Sequence, residues 1–188
     1  LALRLYTSPV YLNISKPLHD GCSVARPHPY PATVALITEA LKKVRADQLK
    51  KADDAAAPSA VGTLWCAVAK LGDGTSEFKQ RGGTEISVLS TSRQREVAQS
   101  RALQDYMMTR SMNPKAEVSA PTLLKLRADT LERSGLDLSG LSVLPDECEA
   151  VFPPCTYLEP RKESEENVLG PTGEEMPIKI IEVIPSCD

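Results

Sequence analysis

LPDECEAVFPPCTYLEP, residues 144–160, sets Glu147 and Glu149 two positions apart, ahead of a short apolar run, a double proline and a threonine. If Cys148 to Phe152 form a strand, the period of two sends both carboxylates to the same side at its entrance. Like charges that close raise at least one pKa or require a cationic partner. A fixed negative group so placed suits chemistry in which positive charge develops on a sugar, because it stabilises an oxocarbenium-like centre. On charge alone, the plainer reading is a solvated acidic loop end.

The segments around this stretch set its context. TVALITEALKKVRADQLKK, from Thr33 to about residue 50, repeats apolar residues at Val34, Ile37, Leu41 and Val44 with Thr33 as a cap, which predicts an amphipathic helix over 33–50. It is expected to fade in the linker KKADDAAAPSA. GTLWCAVAKL, 62–71, has the composition of a buried strand, and SEFKQRGG reads as a short helix closed by glycine. TEISVLSTS, 84–92, is the next predicted strand, with Ser92 as cap for a helix in RQREVAQSRALQDYMM. APTLLKLRAD alternates Leu124 and Leu126 inward with Lys125 and Arg127 outward, and PIKIIEVIPS closes the chain as a strand.

Two segments are expected to be irregular or extended. RLYTSPVYL, 4–12, carries β-formers around a Ser-Pro turn signal, followed by a Pro- and Gly-rich loop through Pro31. EPRKESEENVLGPTGEEM, 159–176, is acidic and punctuated by Gly and Pro, and is expected to be a solvated loop. Together these segments predict a single α+β domain over residues 1–188, with a helical first half and a strand-rich second half.

Composition excludes several classes of function. The 188 residues carry 22 Lys and Arg against 25 Asp and Glu, a net charge of −3, without the basic excess with which a nucleic-acid binder neutralises phosphates. The longest apolar runs, such as IKIIEVI, fall far below the ~20 residues of a membrane helix, so a soluble chain is expected, cytoplasmic by default. It begins at Leu1 without a methionine, as a segment excised from a longer polypeptide would. Five cysteines, Cys22, Cys66, Cys148, Cys155 and Cys187, form no CxxC pair, and His19 and His28 lie in a Pro-rich loop. Neither a disulfide framework nor a metal site is written in that spacing.

Three ordered blocks carry a family resemblance. LWCAV at 64–68, STS at 90–92 and ECEAVFPPCTYL at 147–158 resemble the motif set of arginine-directed mono-ADP-ribosyltransferases of the R-S-E class. RGGTEISVLSTS and GLSVLPDECEAVFPPCTYLEP are similar to protist and algal domains of that superfamily, as are YTSPVY and IIEVIPS. The resemblance spans nearly the whole chain. It implies two small, mostly antiparallel sheets that form an NAD cleft, with a helical N-terminal half. NAD is then a substrate, no metal takes part, and the partner is an acceptor protein with an exposed arginine.

The same resemblance implies roles for individual residues. Glu149 would bind the nicotinamide ribose and stabilise the oxocarbenium ion, and Glu147 would orient and deprotonate the acceptor guanidinium. Ser90 would position the ribose and Glu149, with Thr91 and Ser92 shaping the strand end. Trp65, Cys66 and Ala67 occupy the block that meets NAD. There the chain departs from the pattern, with Cys66-Ala67 where the family has Arg-Gly. A thiol cannot replace a bidentate guanidinium on a phosphate. Losing such a charge-assisted bond costs ~1.5–3 kcal/mol, and alanine narrows a slot that glycine leaves open. Lys70, Arg81 and Arg4 are alternative cations, with nothing in the spacing to favour one. Two further readings follow: a catalytically degenerate interaction module that has lost its phosphate clamp, and an NAD hydrolase in which water traps the sugar.

Overall fold

The structure is a computed structural model that describes residues 2–53, 62–68, 75–112, 119–130, 133–138, 140–143, 146, 148–170 and 172–187. Three helices open the chain: α1 (Ala2–Tyr6), α2 (Tyr11–His19) and α3 (Pro31–Asp53). The Ser8-Pro9 turn signal is real, but it separates two helices and not two strands. Leu3, Tyr6 and Ile14 are spaced to meet Ile37 and Leu41 of α3 in one apolar cluster. This burial overrides the β-propensity of RLYTSPVYL. The helix expected at 33–50 is present and extends by a few residues at each end. Most of the predicted linker, residues 54–61, lies outside the described residues.

Strands dominate the rest, in the order β1 (Thr63–Val68), α4 (Thr75–Arg81), β2 (Gly83–Glu85), β3 (Leu89–Ser92), α5 (Arg95–Met112), β4 (Thr122–Arg127), β5 (Leu136–Asp137), β6 (Glu149–Phe152), β7 (Thr156–Leu169) and β8 (Glu175–Ser186). Among the described residues, eight strands form one hydrogen-bonded order, β2-β7-β8-β4-β1-β3-β6-β5. All pairings are antiparallel except β4 with β8. The α+β class holds. The two sheets expected from the sequence are the two arms of this order, β2-β7-β8-β4-β1 and β3-β6-β5. The arms are joined through a single residue pair, Trp65 with Ser92.

The strand expected over 84–92 is interrupted. β2 pairs with β7 and β3 pairs with β6, so the chain changes arms across residues 86–88. Side chains hold this crossing in place. Ser87, 2% exposed, donates its backbone N–H and its hydroxyl to Glu85 Oε1, each at 2.8 Å. His19 Nε2 lies 2.7 Å from the same oxygen. Tyr6 donates its phenol to the Val88 carbonyl at 3.0 Å. The acidic loop expected at 159–176 is also corrected. β7 and β8 form a long hairpin whose turn occupies only about residues 170–174. Met176, Ile178 and Ile180 are buried on alternate positions, while the β7 charges face outward and pair with bases, such as Glu163 with Lys179 at 3.6 Å.

Three cores arrange these layers. Leu64, Leu124, Leu126, Ile181 and Val183 of the larger arm pack against Leu89, Ala150 and Phe152 of the smaller one. The opposite face of the smaller arm, with Val88, Leu136 and Val151, is covered by α1 to α3. On the larger arm, Leu123, Ile178 and Ile180 are covered by Ala98 and Ala102 of α5.

Gly82 closes α4 at φ +72°, and a Cβ built there would stand 2.5 Å from both the Leu158 carbonyl oxygen and the Tyr157 hydroxyl. Gly82→Ala should therefore lower stability by at least about 1–3 kcal/mol from backbone strain alone. Gly140→Ala, where a Cβ meets nothing within 4 Å, should change it little. Urea unfolding of the two variants beside the parent checks the contrast.

Candidate active site

Antiparallel pairing of β3 with β6 sets the site. Ser90 lies opposite Val151 and Ser92 opposite Glu149, so these four residues share one face, the face toward the N-terminal helices. Ser90 and Glu149 are diagonal neighbours, within reach for long side chains. The Ser90 hydroxyl donates to Glu149 Oε1 at 2.6 Å. Glu149 is 8% exposed, and its backbone carbonyl accepts from Leu138 N–H at 3.0 Å. Thr91 points to the opposite face, where its hydroxyl donates to the Ala150 carbonyl at 2.5 Å. Ser92 Oγ accepts from Gln94 N–H at 3.0 Å, inside the turn that leads to α5, in place of the helix cap expected for it.

The entrance to β6 differs from the expected strand. Cys148 adopts φ +47°, so it belongs to a turn and β6 begins at Glu149. Its carbonyl accepts from Arg93 N–H at 3.3 Å, and its sulfur receives the Gln94 amide at 3.3 Å. This turn ties the segment before Glu149 to the segment after Ser92. Glu147 lies outside the described residues.

The LWCAV block divides between two faces. Cys66 lies with Leu64 against the core between the arms, whereas Trp65 and Ala67 pack toward α5. Burial pushes the Cys66 thiol up to about 12, reinforced by the nearby Glu85 carboxylate and opposed by the Arg101 guanidinium. Cys66 is thus a neutral thiol within reach of a negative and a positive charge. Of the cations considered from sequence, Lys70 lies outside the described residues, Arg4 lies within the short helix α1 and is exposed, and Arg81 sits at the end of α4, largely exposed.

Tyr6 is the residue that sequence reasoning missed. Its phenol is held strongly in the neutral form, first by burial and then by the Glu149 carboxylate, with smaller contributions from Cys66, Tyr11 and Glu85. Tyr6 thus lies within electrostatic reach of Glu149, Cys66 and Glu85. The aromatic in YTSPVY was visible in the sequence, but only the packing of α1 on β3 and β6 gives it a place here. A separate cavity of ≈ 360 Å³ on the α2 side, bordered by Lys16, Arg26 and Tyr30, includes none of these residues. Among the described residues, no group of three or more His, Cys, Asp or Glu side chains is placed to hold a metal ion. Nor is any helix among them long and apolar enough to cross a membrane.

Comparison with solved structures defines the class of fold: it is that of the ADP-ribosyltransferases. The chain is similar to the ADP-ribosyltransferase Vis of Vibrio splendidus in complex with an inhibitor, at TM-score 0.62 and 17% identity, covering 99% of this chain and 71% of that one. It resembles the enzymatic component C2-I of the Clostridium botulinum C2 toxin at TM-score 0.59 and 16% identity, over 97% of this chain and 42% of that one. Exoenzyme S of Pseudomonas aeruginosa, in a complex with human 14-3-3 protein beta bound to carba-NAD, matches at TM-score 0.55 and 19% identity, over 96% and 70%. The chain spans 65% of another similar structure, the type III effector XopAI of Xanthomonas axonopodis. No family model and no curated protein sequence matches it.

The protonated state of Cys66 has a direct consequence. Thiolate is the reactive form, so at pH 8 iodoacetamide should label the exposed Cys22 and Cys155 well before Cys66. Peptide mapping of a timed alkylation reads the order, and early labelling of Cys66 would contradict the described burial.

Proposed function

We propose that the chain is a mono-ADP-ribosyltransferase domain that cleaves NAD between nicotinamide and ribose and passes ADP-ribose to an arginine of an acceptor protein. The observation that carries this reading is the hydrogen bond from Ser90 to the nearly buried Glu149 on a fold of this class. A carboxylate removed from water interacts more strongly with positive charge than one in bulk solvent. Its hydrogen bond to a serine fixes its direction before the reaction begins, so no reorganisation is needed when charge develops.

In the proposed reaction, Glu149 takes a hydroxyl of the nicotinamide ribose and stands beside the anomeric carbon. The bond from C1′ to the nicotinamide nitrogen breaks, and its electron pair leaves with nicotinamide, which becomes neutral. Positive charge spreads over C1′ and the ring oxygen, where the Glu149 carboxylate stabilises it. A guanidinium nitrogen of the acceptor then bonds to C1′, and its proton passes to Glu147. That role for Glu147 rests on the sequence resemblance. An arginine acceptor needs such a base because its guanidinium is cationic at neutral pH and a poor nucleophile until a carboxylate engages it.

Cys66 bears on affinity more than on chemistry. A neutral thiol on β1 offers no charge to the NAD pyrophosphate, so weak NAD binding is the expected consequence. The carba-NAD in the exoenzyme S complex belongs to that protein and supports NAD as the donor here by likeness of fold.

Two measurements test the proposal. With labelled NAD and an arginine-rich acceptor, Glu149→Gln should lower transfer by roughly 10²–10³-fold, and equal labelling by parent and variant would remove Glu149 from the mechanism. Cys66→Arg, shown to be folded by circular dichroism, should tighten NAD binding in calorimetry about ten- to a hundredfold. Unchanged affinity would mean that β1 does not meet the phosphates.

A further inference from the structure

Trp65 has a place in the ladder that its sequence context does not reveal. Along the cross-strand register, Lys125 pairs with Trp65, Trp65 with Ser92, and Ser92 with Glu149. Glu149 therefore stands in one transverse row with Trp65, and the Trp65–Ser92 pair is the join between the two arms. A join of one residue pair resists relative rotation of the arms weakly unless side chains brace it, as the apolar core between the arms does away from the join and as one cation does at the join itself.

The bracing group is on α5. The Arg95 guanidinium lies over the Trp65 ring, 5.1 Å from its centroid, and is ion-paired with Glu166 of β7. Its Nε atom is buried and without a hydrogen-bond partner. A buried guanidinium nitrogen is ordinarily satisfied, and here the tryptophan face is what the cation meets, in the arrangement that favours cation–π attraction. Arg95 begins α5, three residues beyond Ser92. One side chain thus touches the larger arm at Trp65 and at Glu166, while its backbone continues directly from the smaller arm.

We propose that Arg95 and Trp65 are positioning residues: their stack fixes the angle between the two arms and so holds the Ser90–Glu149 pair in register with β1. The consequence for catalysis rests on the transferase reading above; the mechanical part does not. Neither residue touches the reacting atoms. Loosening the stack leaves each half of the site intact but lets β3 and β6 shift against β1. A donor that spans both halves would then still bind, yet reach the reactive geometry less often.

The test combines amide hydrogen exchange with kinetics on the purified chain. Arg95→Met keeps side-chain bulk and removes the planar cation; it should raise exchange of residues 89–92 and 149–152 about tenfold while leaving β4 and β8 unchanged. In the transfer assay, kcat should fall several-fold with KM within about twofold of the parent. Arg95→Lys keeps a charge for Glu166 but not the planar stack, so it should resemble Arg95→Met. Glu166→Gln, a change at a half-buried position that leaves the stack in place, should stay near the parent and guards against misfolding of the Arg95 variants. Exchange that is unchanged in β3 and β6, or raised equally in all strands, overturns the proposal, as does full rescue by lysine. If the exchange pattern appears as expected but the parent transfers no ADP-ribose, the functional reading fails and the positioning role stands.

Discussion

The hydrogen bond between Ser90 and Glu149 depends on a backbone constraint: β3 and β6 must pair in the register that puts Ser92 opposite Glu149. A slip of one residue between these strands would turn Ser90 and Glu149 to opposite faces. Apolar residues fix that register from both sides. Leu89, Ala150 and Phe152 face the core between the arms, and Val88 and Val151 face the N-terminal helices. With both faces buried, the slipped arrangement would take Phe152, wholly inaccessible here, out of the core between the arms and drive Glu149 into hydrocarbon. The polar pair at the site is thus held by hydrophobic packing on either side of it.

The crossing at residues 86–88 is the second determinant. β2 and β3 are adjacent in sequence but belong to different arms of the strand order, with β7, β8, β4 and β1 between them, and the chain joining them is tied by Glu85, Ser87, His19 and Tyr6. These polar contacts place α1 and α2 against the face that carries Ser90 and Glu149. They also bring the Glu85 carboxylate into electrostatic reach of Cys66 and Tyr6. The local field around β1 is therefore mixed, with Glu85 and Arg101 acting in opposite directions on a neutral thiol. In a site built for a pyrophosphate, an arginine at position 66 would dominate that balance.

Glu149 stands at the start of a strand, next to a turn with positive φ at Cys148. The strand anchors the Glu149 backbone through its pairing with Ser92. The hydrogen bonds from Arg93 N–H and Gln94 to Cys148 join that turn to the end of β3.

The sequence by itself determined the α+β class, the helix near 33–50, the short helix closed by Gly82, and the strands around Trp65, Leu124 and Ile181. Each rests on local patterns, apolar spacing and turn residues, that remain legible without knowing what packs against them. It also singled out Ser90 and Glu149, through a motif resemblance and not through spacing. Only the tertiary structure decided that RLYTSPVYL is helical, that the acidic segment after Glu159 is a hairpin, and that 84–92 changes arms. In each case the deciding energy is nonlocal: Tyr6 and Ile14 gain burial on α3, β7 gains a partner in β8, and residues 86–88 answer to two arms at once. The same reason explains Tyr6 and the Arg95–Trp65 stack, because contacts between residues dozens of positions apart leave no periodic trace in the chain.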